Sequence, residues 1–279
     1  MSELYISDLD GTLLNRNVEI SEKTAEILNK LVDKGMNFTV ATARTLASAG
    51  KILSNVRLKL PIILMNGVLI YNPLEKKYEV VNSLSEKLRA TIQHFAKKIG
   101  LDCFMYTIKG NDMMTYFERL SSQAMQDFYN ERREKYYKSF IQVDNFSEIT
   151  DDVIYFTFIS EYERLSPLYK ELSQNPDLEI TFYRDIYSEN LWYLEAFSAK
   201  ASKQQGVRYL REKYGFDNIS VFGDNLNDLP MFDEADKKYA VENAVEQVKI
   251  VADEIILSNE NDGVAMFLLN EFGKEGIYG

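Results

Sequence analysis

The sequence predicts an α/β fold built on a parallel sheet, and two observations support this prediction. Short apolar runs alternate with segments whose apolar residues recur at helical spacing, near both ends of the chain. Strands that alternate with helices form parallel sheets whose two faces are covered by the helices. The length of 279 residues, 46% of them hydrophobic, allows a sizeable core. It also suits about two domains of roughly 150 residues each.

The N-terminal segment alternates strand, helix and strand. Its first strand runs into the polar turn Asp8-Leu9-Asp10-Gly11-Thr12, where the glycine ends it. Ser21 is placed to cap the helix that follows, and Gly35 ends that helix. The strands predicted here are 4–7, 38–41 and 61–65, and Asn66-Gly67 closes the last of them.

The C-terminal segment repeats the same alternation. The turn Gly223-Asp224-Asn225-Leu226-Asn227-Asp228 ends one apolar strand and opens the next helix. Asn261 or Asp262 opens the last helix, which reaches residue 269. The other helices predicted here are 202–214, 227–235 and 245–251, and the strands are 219–222, 239–241 and 254–257.

The middle of the chain differs in composition because it is rich in tyrosine. No long linker or low-complexity tract separates it from its flanks, so an insertion fits better than two consecutive domains. We expect a core formed by residues 1–82 and 190–279, and an inserted α/β unit formed by residues 83–189. The helices expected in the insertion are 84–99, 118–134 and 161–172, and the strands are 101–106, 153–159 and 178–183.

The composition excludes several kinds of chemistry. Cys103 and His94 are the only residues of their types, so a disulfide framework, a multi-cysteine metal site and a two-histidine metal motif are excluded. The formal net charge of −11 disfavours nucleic-acid binding without a local basic stripe. The basic residues between 132 and 138 are interleaved with glutamates, which favours a solvated helix face.

The sequence shows no membrane or export signal. No apolar run approaches the ~20 residues that a membrane span needs. The first eight residues lack the basic region and apolar core of a signal peptide. We therefore expect a cytoplasmic protein that binds neither membrane nor nucleic acid.

Two aspartates end the first predicted strand. Asp8 and Asp10 stand two positions apart. The alternation of side chains along a strand places both on the same side, at the carboxyl edge where open α/β sheets bind ligands. Taken alone, the pattern is explained equally well by a turn with a capping aspartate.

A second acidic turn follows another apolar strand and contains Asp224 and Asp228. One aspartate is explained as a helix N-cap, but one cap needs only one carboxylate. If both turns lie at one sheet edge, up to four carboxylates converge, and each like-charge pair at ~5 Å costs about 3 kcal/mol at an effective dielectric of ~20. Such a cluster needs a cation, and oxygen donors alone favour Mg²⁺ over zinc or copper.

A lysine and a threonine complete the candidate site. Lys203 lies in the first turn of a helix, where a cation opposes the helix dipole by roughly 0.3–1 kcal/mol unless an anion lies beside it. Thr42 ends a strand, and its hydroxyl is expected to face the same sheet edge. On these observations alone, a solvated lysine and an ordinary strand-end threonine remain open alternatives.

Taken in chain order, these residues resemble the four motifs of haloacid dehalogenase-superfamily phosphatases. The motifs are Asp8-Leu9-Asp10-Gly11-Thr12-Leu13-Leu14, Thr42, Lys203 and Gly223-Asp224-x-x-Asn227-Asp228. The long stretch between the second and third motifs resembles the Cof-type subfamily (subfamily IIB), whose large α/β cap is inserted there. Asn66-Gly67 and Glu195 are similar to that subfamily as well, whereas Ala43, Lys200 and Gln204 stand where it commonly has glycine.

The resemblance implies a Rossmann-like parallel-sheet core with an inserted α/β cap, and a two-step phosphoryl transfer. Asp8 is implied as the nucleophile that forms an aspartyl-phosphate, and Asp10 as the general acid and then the general base. Thr42 and Lys203 would hold the phosphoryl oxygens. The implied Mg²⁺ ligands are Asp8, the backbone carbonyl of Asp10, Asp224, and Asp228 as a ligand or as a residue that orients one.

The resemblance also implies the surroundings of the substrate. The residues around its phosphate would be Leu9, Thr42, Ala43, Arg44, Asn66, Lys203 and Asn227. The expected substrate is a small phosphorylated metabolite selected by the cap, foremost a sugar phosphate, or a cofactor such as FMN or pyridoxal phosphate. The protein would be a monomer or a weak homodimer. Open alternatives are a phosphomutase of the same superfamily, a receiver-like signalling protein and a non-catalytic protein that binds a phosphorylated ligand.

Overall fold

The structure is a computed structural model that describes residues 2–185 and 190–275. The chain forms two compact units. The first unit combines Met1–Val80 with Ser202–Gly279, and the second is the inserted stretch Val81–Ala201. Residues 186–189, which the sequence analysis assigns to the end of the insertion, lie outside the described residues.

Strands and helices alternate in the first unit, and strands predominate in the second. In chain order the strands are β1 (Glu3–Ser7), β2 (Asn37–Val40), β3 (Ile62–Leu64), β4 (Leu69–Asn72), β5 (Lys77–Val81), β6 (Phe104–Lys109), β7 (Asp112–Phe117), β8 (Phe140–Gln142), β9 (Asp152–Ser160), β10 (Leu178–Arg184), β11 (Trp192–Ser198), β12 (Asn218–Gly223), β13 (Lys237–Val241) and β14 (Glu254–Ile256). The helices are α1 (Glu22–Asp33), α2 (Leu46–Ile52), α3 (Glu86–Lys98), α4 (Gln123–Tyr136), α5 (Tyr162–Leu172), α6 (Lys203–Tyr214), α7 (Leu229–Glu234), α8 (Glu246–Val251) and α9 (Gly263–Glu275). Within the described ranges, none of these helices has the length and apolar character needed to cross a membrane.

The central sheet of the first unit is parallel, with the strand order β14-β13-β12-β1-β2. Its middle strands are near-continuous apolar runs because both faces of a parallel sheet are covered. Leu4, Ile6, Val221 and Phe222 in these strands are fully buried. The prediction of an α/β fold with a parallel sheet is confirmed.

A smaller sheet in the first unit, of order β3-β4-β5, packs against the start of α6. Gly67 lies in the turn between β3 and β4 with a φ of 92°, a backbone conformation that suits glycine. A Cβ atom at this position would lie 2.2 Å from the carbonyl oxygen of Ser202, the N-cap of α6. The glycine therefore permits a close contact between this turn and the helix that begins with Lys203.

Glu79 of β5 also holds this smaller sheet against α6. Its side chain is 3% exposed and forms an ion pair with Lys213 at 3.2 Å. It accepts hydrogen bonds from Asn72 at 2.8 Å, from the hydroxyl of Tyr209 at 2.9 Å and from that of Tyr214 at 3.0 Å. Burial alone would raise the pKa of Glu79, but these four donors together lower it. The ionised carboxylate is therefore the form that joins strand and helix.

The second unit contains a sheet of order β10-β11-β9-β6-β7-β8. β7 and β8 are parallel, and the other neighbouring strands are antiparallel. Side chains of α3 and α5 share one hydrophobic core with this sheet, in which Ile92, Leu165, Phe156, Phe158 and Leu194 are fully buried. The prediction of an inserted α/β unit is confirmed.

The second unit extends beyond the predicted boundary at residue 189. β11, which the sequence analysis does not predict, pairs between β9 and β10, with Glu195 opposite Thr157 and Thr181. A strand that pairs in the middle of a sheet belongs to that sheet. The first unit therefore resumes at Ser202 rather than at residue 190.

Helices α4 and α7 are among those that begin later than predicted. α4 begins at Gln123 rather than 118, because the side chain of Ser122 caps it by accepting a hydrogen bond from the backbone N–H of Met125. α7 begins at Leu229, because residues Leu226–Asp228 form a separate short turn before it. The sequence analysis predicts neither strand β7 nor helix α2.

Candidate active site

Three neighbouring strands bring the acidic turns and Thr42 to one edge of the first unit's sheet. β12, β1 and β2 are adjacent and parallel, so the residues that follow them meet at the same edge. Asp8 follows β1, Asp224 follows β12, and Thr42 lies just beyond β2. The two acidic turns are therefore neighbours.

Lys203 lies between two buried carboxylates. Its Nζ atom is 2.5 Å from Oδ1 of Asp8 and 2.6 Å from Oδ1 of Asp228. Lys203 is the first residue of α6, whose N-cap Ser202 accepts a hydrogen bond from the backbone N–H of Gln205. The exposed fractions are 1% for Lys203, 4% for Asp8 and 0% for Asp228. The three charges therefore interact with little screening by water.

The second oxygen of Asp228 is held by the backbone of its own turn. Oδ2 accepts hydrogen bonds from the N–H groups of Asp224 at 2.9 Å and Asn225 at 3.1 Å. Together with the cap that the Asn225 side chain provides, this forms a capping box. Asp228 thus fixes the turn that carries Asp224 and binds Lys203 at the same time.

The turn after β1 orients Asp224. The hydroxyl of Thr12 donates a hydrogen bond to Oδ1 of Asp224 at 2.8 Å. Gly11 has a φ of 80°, and a Cβ atom on it would lie 2.4 Å from Oδ2 of Asp224. Only glycine permits both this backbone conformation and this close approach.

The surroundings change the proton affinities of the site. Burial raises the pKa of Asp8 well above its usual range; Lys203 opposes this shift, while Asp228 and Asp224 add to it. Burial and the charge of Asp228 raise the pKa of Asp224 to about 6. Burial would lower the pKa of Lys203, but Asp228 and Asp8 raise it, so the ammonium group stays charged. The ionised carboxylates are therefore disfavoured unless a further cation joins Lys203.

Asp8, Asp224 and Asp228 could hold a metal ion. Each offers one carboxylate oxygen, and these atoms lie within 4.8 Å of one another. A donor set made only of oxygen suits Mg²⁺ or Ca²⁺ better than zinc or copper. The three side chains fit the magnesium site expected from the sequence, because a divalent cation would offset the charge that burial disfavours.

The carboxylate of Asp10 lies outside this cluster and is bound by Arg44. Nε of Arg44 donates to Oδ2 of Asp10 at 2.7 Å, and Nη2 donates to Oδ1 at 2.6 Å. Nη1 of the same guanidinium donates to the hydroxyl of Ser48 in α2 at 2.8 Å. The side chain of Asp10 is 49% exposed and that of Arg44 is 18% exposed. Of the predicted metal ligands, Asp10 thus contributes no side-chain oxygen to the cluster.

Thr42 and Asn66 are joined through the backbone at the same edge. The N–H of Asn66 donates to the carbonyl of Thr42 at 3.0 Å, and the N–H of Arg44 donates to the fully buried hydroxyl of Thr42 at 3.1 Å. Asn66 has a φ of 54°. Among the described residues, its buried Oδ1 atom has no hydrogen-bond partner. A buried acceptor of this kind is satisfied when a ligand brings a donor.

Three other predicted residues differ in their exposure. The side chain of Leu9 is fully buried in the core, so only its backbone can face a ligand. Ala43 and Asn227 are exposed, Ala43 beside Thr42 and Asn227 in the short turn before α7. The predicted contribution of Leu9 is therefore restricted to its main chain.

Glu195, which the family resemblance singles out, lies in β11 of the second unit. The hydroxyl of Tyr155 donates to its Oε2 atom at 2.8 Å, and that of Thr181 donates to the same atom at 3.0 Å. Burial raises the pKa of Glu195, although these hydroxyl groups oppose the shift. Glu195 thus belongs to a polar network inside the second unit.

Sequence reasoning missed the contacts that Thr12 and Ser48 make. Thr12 stands beside Gly11 in the first motif, and this position could have indicated that it contacts the acidic turn. Ser48 had no such signal, because it reaches Arg44 from helix α2, which the sequence analysis did not predict.

The parallel sheet, the inserted unit and the lysine between buried aspartates together define an α/β protein with a carboxylate-rich site at one edge of its sheet. The chain belongs to the haloacid dehalogenase-like hydrolase family, whose model matches residues 5–268. The predicted family and the predicted hydrolase of the phosphatase class are confirmed. The receiver-like alternative is excluded, because the family match extends through both units.

Several known proteins are similar to this chain over nearly its whole length. The 5-amino-6-(5-phospho-D-ribitylamino)uracil phosphatase YcsE of Bacillus subtilis is 28% identical over 271 residues, covering 94% of this chain and 93% of that protein. Phosphatase YwpJ of the same species is 26% identical over 287 residues, covering 94% and 97%. The crystal structure of TM0651 from Thermotoga maritima has a TM-score of 0.81 at 29% identity and covers 97% of each chain.

Proposed function

We propose that the protein is a Mg²⁺-dependent phosphatase that hydrolyses a small phosphorylated metabolite through an aspartyl-phosphate intermediate. The observation that carries this proposal is the position of Lys203, which binds Asp8 at 2.5 Å and Asp228 at 2.6 Å beside Asp224. This position brings together, at one edge of the sheet, a nucleophilic carboxylate, a permanent cation and oxygen donors for a metal.

Asp8 is the proposed nucleophile. Its carboxylate attacks phosphorus, the bond to the leaving alcohol breaks, and an acyl phosphate forms on Asp8; water then cleaves the acyl phosphate and restores the carboxylate. This divides a very high barrier into two lower ones, since enzymes accelerate phosphate-monoester hydrolysis by up to ~10²¹. The Lys203 ammonium group, which binds Asp8 directly, offsets negative charge on the transferring oxygens.

Asp10 is the proposed general acid and base. It would protonate the leaving alcohol in the first step and accept a proton from water in the second. Its position two residues after Asp8 and its 49% exposed side chain support this role, because proton transfer requires access to the leaving group and to water. Asp8, by contrast, is buried and bound by Lys203.

Mg²⁺ would be held by Asp8, Asp224 and the backbone carbonyl of Asp10, with Asp228 beside them. Bound there, it would neutralise the repulsion between the Asp8 carboxylate and the phosphate dianion. Since Asp228 already accepts three hydrogen bonds, we assign it mainly to the orientation of Lys203 and of the Asp224 turn.

The remaining groups at this edge would surround the phosphate. The Thr42 hydroxyl, the Asn66 and Asn227 side chains and the backbone amides of Leu9 and Ala43 are all neutral. They can donate hydrogen bonds without adding a charge that must be offset after the product leaves. The main positive charge for the phosphate would then come from Lys203 and the metal.

The proposed substrate class is a phosphate monoester of a sugar or polyol. Among the relatives, YcsE is named as a phosphatase of 5-amino-6-(5-phospho-D-ribitylamino)uracil, which carries a phosphorylated ribityl chain. FMN carries the same chain, whereas pyridoxal phosphate presents a phosphate on a short arm of an aromatic ring. Comparison of these esters with simple sugar phosphates would rank the three groups.

Selection among substrates is proposed to reside in the second unit. We choose Glu195 for the test because the family resemblance singles it out and because the hydroxyl groups of Tyr155 and Thr181 orient its carboxylate. Glu195→Gln should change the ranking of substrates while hydrolysis of p-nitrophenyl phosphate stays within about twofold. An unchanged ranking would remove Glu195 from this role.

The decisive experiment measures inorganic phosphate released from a panel of phosphorylated metabolites. We expect release with Mg²⁺, its loss with EDTA, and its loss in Asp8→Asn with the fold intact by circular dichroism. Asp33→Asn is the matched control, since Asp33 is a half-exposed aspartate paired with Arg57. Substantial turnover by Asp8→Asn would reject the nucleophile. An isomeric sugar phosphate in place of inorganic phosphate would identify a phosphomutase instead.

A further inference from the structure

Arg44 binds both oxygens of Asp10. Nε and Nη2 of one guanidinium donate to Oδ2 at 2.7 Å and to Oδ1 at 2.6 Å. Two parallel hydrogen bonds of this kind fix the plane of a carboxylate as well as its position. The compact ammonium group of a lysine would supply a positive charge but would not fix the plane of the carboxylate.

Arg44 itself is held from its backbone and from the far side of its guanidinium. Its N–H donates to the Thr42 hydroxyl at 3.1 Å, and its carbonyl accepts from the N–H of Met65 at 3.1 Å. Nη1 donates to the Ser48 hydroxyl at 2.8 Å. With a side chain 18% exposed against 49% for Asp10, Arg44 is the better-held partner of the pair. It is therefore Arg44 that positions Asp10.

We propose that Arg44 is a positioning residue that acts through Asp10, rather than a ligand of the substrate phosphate. This inference rests on the proposed function, in which Asp10 transfers protons. A half-exposed aspartate samples several rotamers, and holding it in one of them removes an entropic barrier to proton transfer. The braced guanidinium supplies that restraint, and all three of its nitrogen atoms are already engaged by Asp10 and Ser48.

A residue that acts through the general acid has a kinetic signature that a phosphate ligand lacks. Proton donation matters more when the leaving group is a stronger base. Phenyl phosphate and p-nitrophenyl phosphate differ by one nitro group, which makes the nitrophenolate the weaker base. Arg44→Ala should lower kcat about tenfold on phenyl phosphate and less than about threefold on p-nitrophenyl phosphate, with KM for either ester little changed.

The double-mutant cycle with Asp10→Ala is the central test. If Arg44 acts only through Asp10, adding Arg44→Ala to Asp10→Ala should lower kcat on phenyl phosphate no further. Equal losses from Arg44→Ala in both backgrounds would overturn the proposal. Arg44→Lys should behave like Arg44→Ala on phenyl phosphate. Recovery of wild-type kcat by the lysine would show that charge, not the paired geometry, is sufficient, and would also overturn it.

Inhibition by inorganic phosphate separates positioning from phosphate binding. Its inhibition constant should stay within about twofold in Arg44→Ala, whereas a phosphate ligand of this kind would weaken it at least about tenfold. Ser48→Ala keeps Arg44 and removes only the hydroxyl that accepts a hydrogen bond from its Nη1 atom. In this variant kcat should again fall more on phenyl phosphate than on p-nitrophenyl phosphate, by smaller factors than in Arg44→Ala, and the protein should stay stable. Arg57→Ala is the matched control, because Arg57 pairs with Asp33 and is 62% exposed.

The outcomes for the two proposals are distinct. A wild-type enzyme that hydrolyses neither ester in the presence of Mg²⁺ would reject the proposed function, and with it the role of Arg44. An active wild type whose Arg44→Ala variant shows the same rise in KM for both esters, with kcat unchanged, would reject only the positioning role and assign Arg44 to the phosphate.

Discussion

The Nζ atom of Lys203 lies 2.5 Å from Oδ1 of Asp8, at a place where neither residue is more than 4% exposed. A buried charge that loses its partner costs far more than an exposed one, because water cannot replace the partner. The contact between Lys203 and Asp8 therefore both stabilises the fold and serves the chemistry proposed for Asp8. Substitutions at Lys203 should show the two effects together.

Lys203→Met should abolish most turnover and destabilise the fold. We expect kcat to fall by about 10³ because charge on the transferring oxygens loses its cation. The free energy of unfolding should fall by about 3 kcal/mol because Asp8 and Asp228 remain buried without it. Phosphate release and urea denaturation measure the two effects. Lys30→Met, on the exposed side of α1, is the control, and a Lys203 variant as stable as that control would contradict the prediction.

Gly11→Ala should weaken the metal site specifically. The added Cβ atom would meet Oδ2 of Asp224 at 2.4 Å, so the Mg²⁺ concentration for half-maximal activity should rise at least about tenfold. Gly35→Ala is a close control, since Gly35 has a φ of 98° but, among the described residues other than its chain neighbours, no heavy atom lies within 4 Å of an added Cβ. Both variants should lose about 1 kcal/mol of stability from the backbone alone. Equal Mg²⁺ dependence in the two variants would refute a specific effect on Asp224.

Glu79→Gln should remove a stabilising contribution that depends on pH. The folded protein lowers the pKa of Glu79 below its ordinary 4.5, so the contribution is present above that pH and is lost as the pH falls through the lower, folded value. At neutral pH the variant should lose about 2 kcal/mol, because the donors around Glu79 lose an ionised acceptor. Thermal unfolding measured from acid to neutral pH should show that the difference in stability between the wild type and the variant disappears in acid. Glu75→Gln, in an exposed ion pair with Lys77, should show no such difference.

The affinity for Mg²⁺ should fall as the pH drops through about 6. The pKa of Asp224 is raised to about 6 in the absence of a metal, so protons compete with Mg²⁺ below that value. The raised pKa also means that ionisation of Asp224 weakens the metal-free fold as the pH rises from its ordinary 3.8 through about 6. Added Mg²⁺ should therefore raise Tm more at pH of about 7.5 than at about 5. A shift in Tm that is independent of pH would contradict this prediction.

The parallel sheet and its acidic turns were predictable because the physical constraints on them are local. A strand buried on both faces must be largely apolar, as β12 is at Ile219, Val221 and Phe222, and a polar ligand can be met only where the strand ends. Asp8 and Asp224 stand directly after such runs. Their approach follows from strand adjacency, which alternating strands and helices favour.

Other features depend on partners that are distant in the chain. β11 contains Glu195 in its middle, a residue type that disfavours strands, and hydrogen bonds that Tyr155 and Thr181 donate from neighbouring strands offset the cost of its partial burial. The pairing of Arg44 with Asp10 depends in the same way on Ser48 and on the loop between β2 and α2. No periodicity or composition records such contacts.

The contact of the small sheet with α6 has a consequence for how this enzyme can diversify. The chain leaves the first unit after β5 and returns at Ser202, and Glu79 of β5 is hydrogen-bonded to Tyr209 and Tyr214 of α6. Contacts within the first unit, between β5 and α6, thus hold the two ends of the insertion together. Because the entropy cost of closing a loop grows only slowly with its length, a longer or shorter insertion between these elements changes that cost little. We therefore expect that residues 81–201 can be replaced by another sequence while Lys203 keeps its place.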